Sequence, residues 1–431
     1  MKRTAVLAFV LLLTTAFPAV FGAEPVQPEE AAPVAPSSAS DFLKDDSAYR
    51  SLMEFLTALS IIKNTYVDAD KVTYERLFKA ALTGMLHELD PYSTYETAEI
   101  YRETQEESKG EMAGIGVVIS MRNHVLEIVE IQKDGPAFKA GLKPGDLIME
   151  IDGQGLNGKT MKDAVRMLRG KKGESVRLLI YRASTDKKQE YTLVRDQINL
   201  PTVTGERVID KASGIAYVRV AQFGGKTANE LETAIRKLQG EGMTSLVIDL
   251  RNNPGGLVIA AVKVCSLFLP EDDLIVSLEG RDGGKKETYR SLKCRKYTDL
   301  PLALLVNGNS ASASEIVTAC LQSHKRAVVI GERTFGKGVV QTLMPFGSKE
   351  ALRVTTAKYY APDRRVIHEK GVDPDIQVPL TAARRAAISV RMNTHPGEIE
   401  DRVPGGVRDT QLERAVEVLK AVQLFRNAHK K

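Results

Sequence analysis

Three short apolar runs most limit what this chain can fold into: SLVIDLR at Ser245–Arg251, LALLVN at Leu302–Asn307 and AVVI at Ala327–Ile330. Each is near-continuous in apolar residues rather than alternating, the pattern of strands buried on both faces. NNPGG punctuates the first run, and Leu257–Phe268 after it is helical in pattern. GNSAS follows the second and opens a helical stretch that runs to about His324. Strand–helix–strand repetition predicts a parallel sheet with crossover helices, so the chain reads as multi-domain α/β. With 431 residues, 43% of them hydrophobic, it has enough apolar side chains for a core in about two or three domains.

Other patterns surround this unit. From Asp45 to about Lys109, Leu52, Phe55, Leu56, Leu59 and Ile62 recur at helical spacing, as do Leu77, Ala81, Met85 and Leu86; Asp90-Pro91 breaks the second helix. From Glu111 the period changes: GIGVVIS and LEIVEI read as strands, Thr160–Gly170 as a helix with Val165 and Leu168 on one face, and SVRLLIYR as a strand ending at Arg182. Glu111–Arg195 is thus a compact module of its own. Glu271–Asp299 reads as a polar, hairpin-like excursion, and VVQTLMPF and ALRVTTAKYY as paired strands. After Pro379 the pattern is helical again. From Thr381 onward there are ten Lys and Arg against six Asp and Glu, which fits a solvated helix face or an interaction surface.

The net charge of +5 is mild, and no basic run is interleaved with aromatics, which argues against a nucleic-acid partner. The first 23 residues have a basic start at Lys2 and Arg3, an apolar stretch at Ala5–Phe17 and small or aliphatic residues before Ala23. This is an export signal, with cleavage expected after Gly22. An uncleaved anchor is the alternative, since Thr4–Ala23 is about as long as the roughly 20 residues a membrane span needs. Either way the body is expected outside the cytoplasm, in the periplasm or on the outer face of the membrane. Residues 24–44 read as a linker rich in Pro, Ala, Ser and Glu. Cys265, Cys294 and Cys320 match no metal or redox spacing, and no metal or cofactor is expected.

GERTFGKGVVQT at Gly331–Thr342 contains GxxxxGK, the spacing of a phosphate loop. Gly338 stands where such a loop needs a hydroxyl for magnesium, and VVQTLMPF reads as a strand where a helix is required, so a nucleotide site is not expected. Lys337 follows Ser312 by 25 residues. Ser312 sits where a buried strand turns into a helix, at the sheet end where α/β folds place ligands. Glu315 completes a capping box with it, so a plain helix cap is the structural alternative. The Ala313 N–H lies at the positive end of the helix dipole and is suited to an oxyanion. RNNPGG adds Gly255 or Gly256 as a second backbone donor. Of six histidines, His324 ends the helix that Ser312 begins, roughly 18 Å away at about 1.5 Å per residue, while His368 remains open as a base. Lysine can serve instead if burial and nearby positive charge lower its pKa. Gln341, four residues on, is suited to holding the amine by a hydrogen bond, and if the segment is a strand the two share a face.

NGNSASASEI, GERTFGKGVVQT, DLRNNPGG, LRVTTAKYYAPD and GVDPDIQV together resemble the carboxy-terminal processing proteases, or tail-specific serine peptidases. The Glu111–Arg195 module resembles their PDZ domain, and the likeness runs from about Tyr49 to Leu380. It implies a ClpP/crotonase-like α/β protease core with an inserted PDZ domain and helical N- and C-terminal segments. It also implies an acyl-enzyme mechanism with Ser312 as nucleophile, Lys337 as general base, Gln341 positioning the lysine, and Ala313 with Gly255 or Gly256 as oxyanion donors. In some relatives a PDZ arginine gates the site by touching that glutamine, and Arg182 is the candidate here.

The expected organisation is 1–23 signal, 24–44 linker, 45–109 helical segment, 110–197 PDZ domain, 198–380 protease core and 381–431 helical tail. Ile115, Gly116 and Val117 would meet a peptide carboxylate, while Val165 and Leu168 would line a pocket for apolar C-termini. Partners implied are protein or peptide substrates, an adaptor lipoprotein, and a second copy through the N- and C-terminal helical segments. A non-catalytic PDZ scaffold and a crotonase-like acyl-transfer enzyme are the competing readings.

Overall fold

The computed structural model describes residues 45–393 and 408–428, apart from 109–111, 123–124, 133, 199–200, 282–283 and 285. The expected signal and linker lie outside the described residues. The chain divides into two compact units, Met1–Leu77 and Phe78–Lys431. In the first, helix Asp46–Thr65 starts at Asp45, whose carboxylate accepts the N–H groups of Ser47 and Ala48, and it buries none of its residues.

In the second unit a six-stranded sheet runs in the order Val203–Asp210, Ile215–Val220, Ser245–Asp249, Leu302–Val306, Ala327–Gly331, Ile376–Gln377. The first pair is antiparallel and the rest are parallel. The three apolar runs are its central strands, and successive residues point to opposite faces. Leu246, Ile248, Leu302, Leu304 and Val306 enter one core, with Ala313, Ile316 and Val317 of helix Ala313–Ser323. Val247, Ala303 and Leu305 enter another.

That other core shows that one face of the C-terminal helix is packed on the sheet, while other residues of the helix, such as Leu424 and Phe425, stay exposed. Helix Thr410–Ala428 buries Ala415 and Leu419 against Ile215, Val247, Ala303 and Leu305. Its Gln423 amide donates to the Ser213 carbonyl at 2.9 Å and to Ser245 Oγ at 2.7 Å. The helix start is pinned by Arg251, only 2% exposed, which donates to Asp249 and Asp409 and, at 2.9 Å, to Gln411 Oε1. Burial alone would pull the guanidinium down, but Asp249 and Asp409 outweigh it and hold it above its ordinary value. Removing one partner strands the rest of a buried network, so Arg251→Ala should cost about 3–5 kcal/mol. A urea midpoint that does not move in this variant would contradict the assignment.

A second sheet carries the strand that follows Lys337. Strand Glu350–Tyr360 pairs antiparallel with Val339–Phe346, Leu274–Glu279 and Thr94–Glu96, and Leu274–Glu279 forms the expected hairpin with Lys286–Arg290. The strand Thr94–Glu96 departs from the all-helical reading of 45–109. Asp90 ends helix Tyr74–Leu89 by accepting the N–H groups of Tyr92 and Ser93, and the chain then continues as an edge strand.

The module after Glu111 has a sheet ordered Val117–Arg122, Val125–Ile131, Leu147–Ile151, Ser175–Arg182, Lys187–Val194. Its strand starts at Val117 rather than Gly114, because Gly116 has φ 76° and turns the chain. Helix Met161–Leu168 carries a capping box between Thr160 and Asp163, and the buried Arg195 donates to its last carbonyls, Met167 and Leu168. All three cysteines are free; Cys265 and Cys320 are buried.

Candidate active site

Ser312 joins strand Leu302–Val306 to helix Ala313–Ser323 with φ 56° and ψ −113°, a conformation an L residue holds only under constraint. The constraint is a polar network of short side chains. The Asn253 carbonyl accepts from Ala311 N–H at 3.0 Å and from Ser314 Oγ at 2.9 Å. Asn307 Nδ2 donates to Asn252 Oδ1 at 2.9 Å, and Asn252 N–H returns a bond to Asn307 Oδ1 at 3.0 Å. Ser310 Oγ donates to the Leu250 carbonyl at 2.8 Å. These residues were not singled out from the sequence, although the density of Asn and Ser in RNNPGG and NGNS was a usable signal.

Gly255 lies directly against the nucleophile. A Cβ there would stand 2.8 Å from Ser312 Cβ and 2.7 Å from the Ala311 carbonyl oxygen, so only glycine allows the approach. Its N–H is already donated to Asn253 Oδ1 at 2.9 Å, which corrects the expectation that it serves an oxyanion. Gly256, which is exposed, and Ala313, buried at the first helical position, have N–H groups without a partner among the described residues.

Glu315 does more than cap. Its buried carboxylate accepts from Ser312 N–H at 2.9 Å and Lys337 N–H at 2.8 Å on one oxygen, and from Gly336 N–H at 2.7 Å and Thr334 Oγ1 at 2.5 Å on the other. One side chain therefore ties the serine turn to the lysine loop. Burial pushes its carboxyl up from the ordinary value, while the four bonds oppose that shift.

Lys337 precedes strand Val339–Phe346 and is not part of it, and a bulge separates Val340 from Gln341. The shared-face argument for Lys337 and Gln341 therefore fails. A Cβ at Gly338 would lie 2.3 Å from the His368 N, so this position serves close packing of two chain segments and not magnesium. No helix follows the loop, which removes the nucleotide reading. The Lys337 Nζ sits 4.7 Å from the centroid of the Tyr92 ring and makes no hydrogen bond to Ser312 or Gln341. Burial holds the amine below the ordinary lysine value, Arg353 adds to this, and Asp90 opposes it. Gln341 Nε2 instead points to Thr355 Oγ1 at 3.5 Å.

Among the described residues no histidine hydrogen-bonds Ser312. His324 Nε2 lies 2.8 Å from the Leu274 carbonyl oxygen, and the buried His368 Nδ1 has no partner. Arg182 does not reach Gln341: it pairs with Asp146 through Nε and Nη2, both at 2.7 Å, and donates to the Gly141 carbonyl. The structure thus places the half-buried Arg182 in a clamp inside the module rather than at the gating contact expected of it. Of the expected peptide-binding residues, Ile115 and Leu168 belong to the module's core and Val117 packs on it. Val165 is half-buried and outside that core.

Residues 214–378 match the model described as Peptidase family S41, and residues 127–182 match that of a PDZ domain. The "Carboxy-terminal-processing protease" of Bartonella bacilliformis is 38% identical over 338 residues, covering 78% of this chain and 76% of that one. The chain belongs to peptidase family S41. This S41 peptidase is also 36% identical to the "Probable CtpA-like serine protease" of Staphylococcus haemolyticus over 340 residues, covering 79% of this chain and 66% of the relative. A crystal structure of an S41-type protein from Bacteroides fragilis NCTC 9343, 17% identical, shares the fold with a TM-score of 0.51 over 84% of this chain and 97% of that one. The expected kinship with carboxy-terminal processing proteases therefore stands. The chain is a serine-type endopeptidase with a PDZ domain. Among the described residues no helix is long and apolar enough to cross a membrane.

Proposed function

We propose that this S41 peptidase is exported and cleaves polypeptides near their C-termini through a Ser312–Lys337 dyad. The observation that carries this reading is the Glu315 carboxylate holding both the Ser312 and the Lys337 backbones. Ser312 Oγ attacks the scissile carbonyl and gives its proton to the neutral Lys337 amine. The oxyanion is held by the N–H groups of Ala313 and Gly256. Lys337 then protonates the leaving amine, and water, deprotonated by the same amine, hydrolyses the acyl-enzyme. Gln341 steadies the amine when the dyad engages. The core is of the ClpP/crotonase-like kind, and the division into 45–109, 110–197, 198–380 and 381–431 follows from the same reading.

The PDZ module recruits the substrate. Val117–Arg122 is an edge strand of its sheet, open to an added peptide strand, and Val165 lies outside the core, where it can meet an apolar terminal side chain. An adaptor lipoprotein delivering substrates, and a homodimer through the terminal helices, belong to this reading. The exposed Met53, Phe55, Ile61 and Ile62 of helix Asp46–Thr65 support the dimer.

An unstructured polypeptide ending in a free apolar residue should be cleaved with a kcat/KM at least about tenfold above that of its C-terminal amide, the effect of losing a charge-assisted carboxylate contact. Equal turnover of the two would remove the PDZ domain from recognition.

A further inference from the structure

The resting position of the base raises a question that the dyad alone does not answer: what holds the Lys337 amine away from Ser312? The face of Tyr92 lies at close range, with Lys337 Nζ 4.7 Å from the ring centroid. That is within the roughly 6 Å over which an ammonium is attracted to an aromatic face.

Tyr92 is fixed from several sides. Asp90 Oδ1 accepts the N–H groups of Tyr92 at 2.7 Å and Ser93 at 2.6 Å, and Ser93 Oγ donates to Asp90 Oδ2 at 2.9 Å. Ser93 Oγ also accepts from Thr355 N–H at 3.2 Å, which anchors the turn to strand Glu350–Tyr360. The His368 ring packs on Tyr92 with centroids 6.4 Å apart and planes tilted by 57°. Thr355 Oγ1 is in turn the acceptor facing Gln341 Nε2. One residue of that strand therefore touches both the turn that presents Tyr92 and the amide expected to receive the lysine.

We propose that Tyr92 is the positioning residue for the base: its ring holds the Lys337 ammonium in the resting enzyme, and the amine reaches Ser312 only on leaving it. This rests on the Ser312–Lys337 reading of the site. A ring that stabilises the ammonium favours the protonated, disengaged state. Weakening it raises the fraction of neutral, engaged amine. The other charged or titratable groups facing Lys337 or Tyr92 are Asp90 on the same turn, Arg353 on strand Glu350–Tyr360, Glu315 on the serine helix, and His368 and Glu369. None of them changes when only the electron density of the ring is altered.

The test is a series at position 92 in the full chain: Tyr92→Phe, Tyr92→Leu, and phenylalanines of increasing fluorination introduced by stop-codon suppression, which keep the ring's shape and drain its negative face. The readout is the pH profile of kcat and kcat/KM for an unstructured peptide. Tyr92→Phe should leave the acid limb at the wild-type position. Fluorination should move it stepwise to lower pH, and Tyr92→Leu should move it by roughly 0.4–1.5 pH units. At a pH on that limb, kcat rises by roughly threefold to thirtyfold with KM unchanged. An acid limb that stays in place across the fluorinated series overturns the proposal, whether or not Tyr92→Leu folds, as does Tyr92→Phe behaving like Tyr92→Leu. Lys337→Ala separates the two readings. If it retains activity, the dyad itself fails. If it is inactive and the limb still does not move, only the role of Tyr92 fails.

Discussion

Ser312→Ala and Lys337→Ala should each reduce kcat on an unstructured polypeptide by roughly 10⁴-fold to 10⁶-fold, and the double variant should be no worse than the poorer single one. Residues that act as one unit show this non-additivity, because the remaining partner has nothing to act on. Binding should survive, since the PDZ module and the cleft backbone are untouched, so KM changes little. Lys337→Arg is the sharper control: a guanidinium keeps its charge and cannot accept the serine proton. It should be as inactive as Lys337→Ala. In the wild type, kcat/KM should rise with pH as Lys337 loses its proton, with the limb below the ordinary lysine pKa of about 10.4, because burial and then Arg353 disfavour the ammonium. Product analysis by mass spectrometry over a pH series reads all of this. Substantial cleavage by Lys337→Ala would exclude lysine as the base.

Glu315→Gln should be nearly as damaging to activity, and damaging to stability as well. Each carboxylate oxygen of Glu315 accepts two bonds, one pair from Ser312 N–H and Lys337 N–H, the other from Thr334 Oγ1 and Gly336 N–H. An amide supplies one accepting oxygen and one NH₂ group. In either orientation the NH₂ faces a pair of donors. Unsatisfied buried groups cost about 1–3 kcal/mol each, so a loss of about 2–5 kcal/mol is expected in a denaturant titration. The loss in kcat should be at least about 10²-fold, because displacing the serine turn from the lysine loop by about 1 Å has that effect. A Glu315→Gln enzyme with wild-type kcat would show that the two halves of the site are aligned by something else.

Much of the site was legible because its chemistry is local. A strand ending in NGNS before a helix, and a lysine between Gly336 and Gly338 before a strand, carry their own short-range constraints. The apolar runs were likewise legible as central strands, since burial on both faces leaves no polar position to confuse the pattern. The tail at 381–431 misled for the opposite reason. Helix Thr410–Ala428 shows a mixed surface: Ala415 and Leu419 are its fully buried apolar residues on the sheet, with Leu412, Val416 and Val418 partly buried beside them, and basic residues interrupt this line in the sequence.

Hydrogen-bond competition was illegible in principle. Gly255 and Gly256 are equivalent in the sequence, yet Asn253 claims one N–H and leaves the other open. Arg182 has the chemistry of a gating residue, but Asp146 lies closer and binds it in a fork.

The sequence by itself determined the central strands, the strand-to-helix turn at Ser312 and the glycine-flanked loop at Lys337, since each depends on residues within a few positions of one another. The tertiary structure decided that Glu315 joins the two halves, that Tyr92 faces Lys337, and that the last helix closes the sheet. These contacts form only once the fold has brought distant segments together, as it does Ser93 and Thr355, 262 residues apart. No propensity or periodicity acts over that range. What selects such partners is burial, which leaves each polar group to find whichever donor or acceptor the packing has placed within reach.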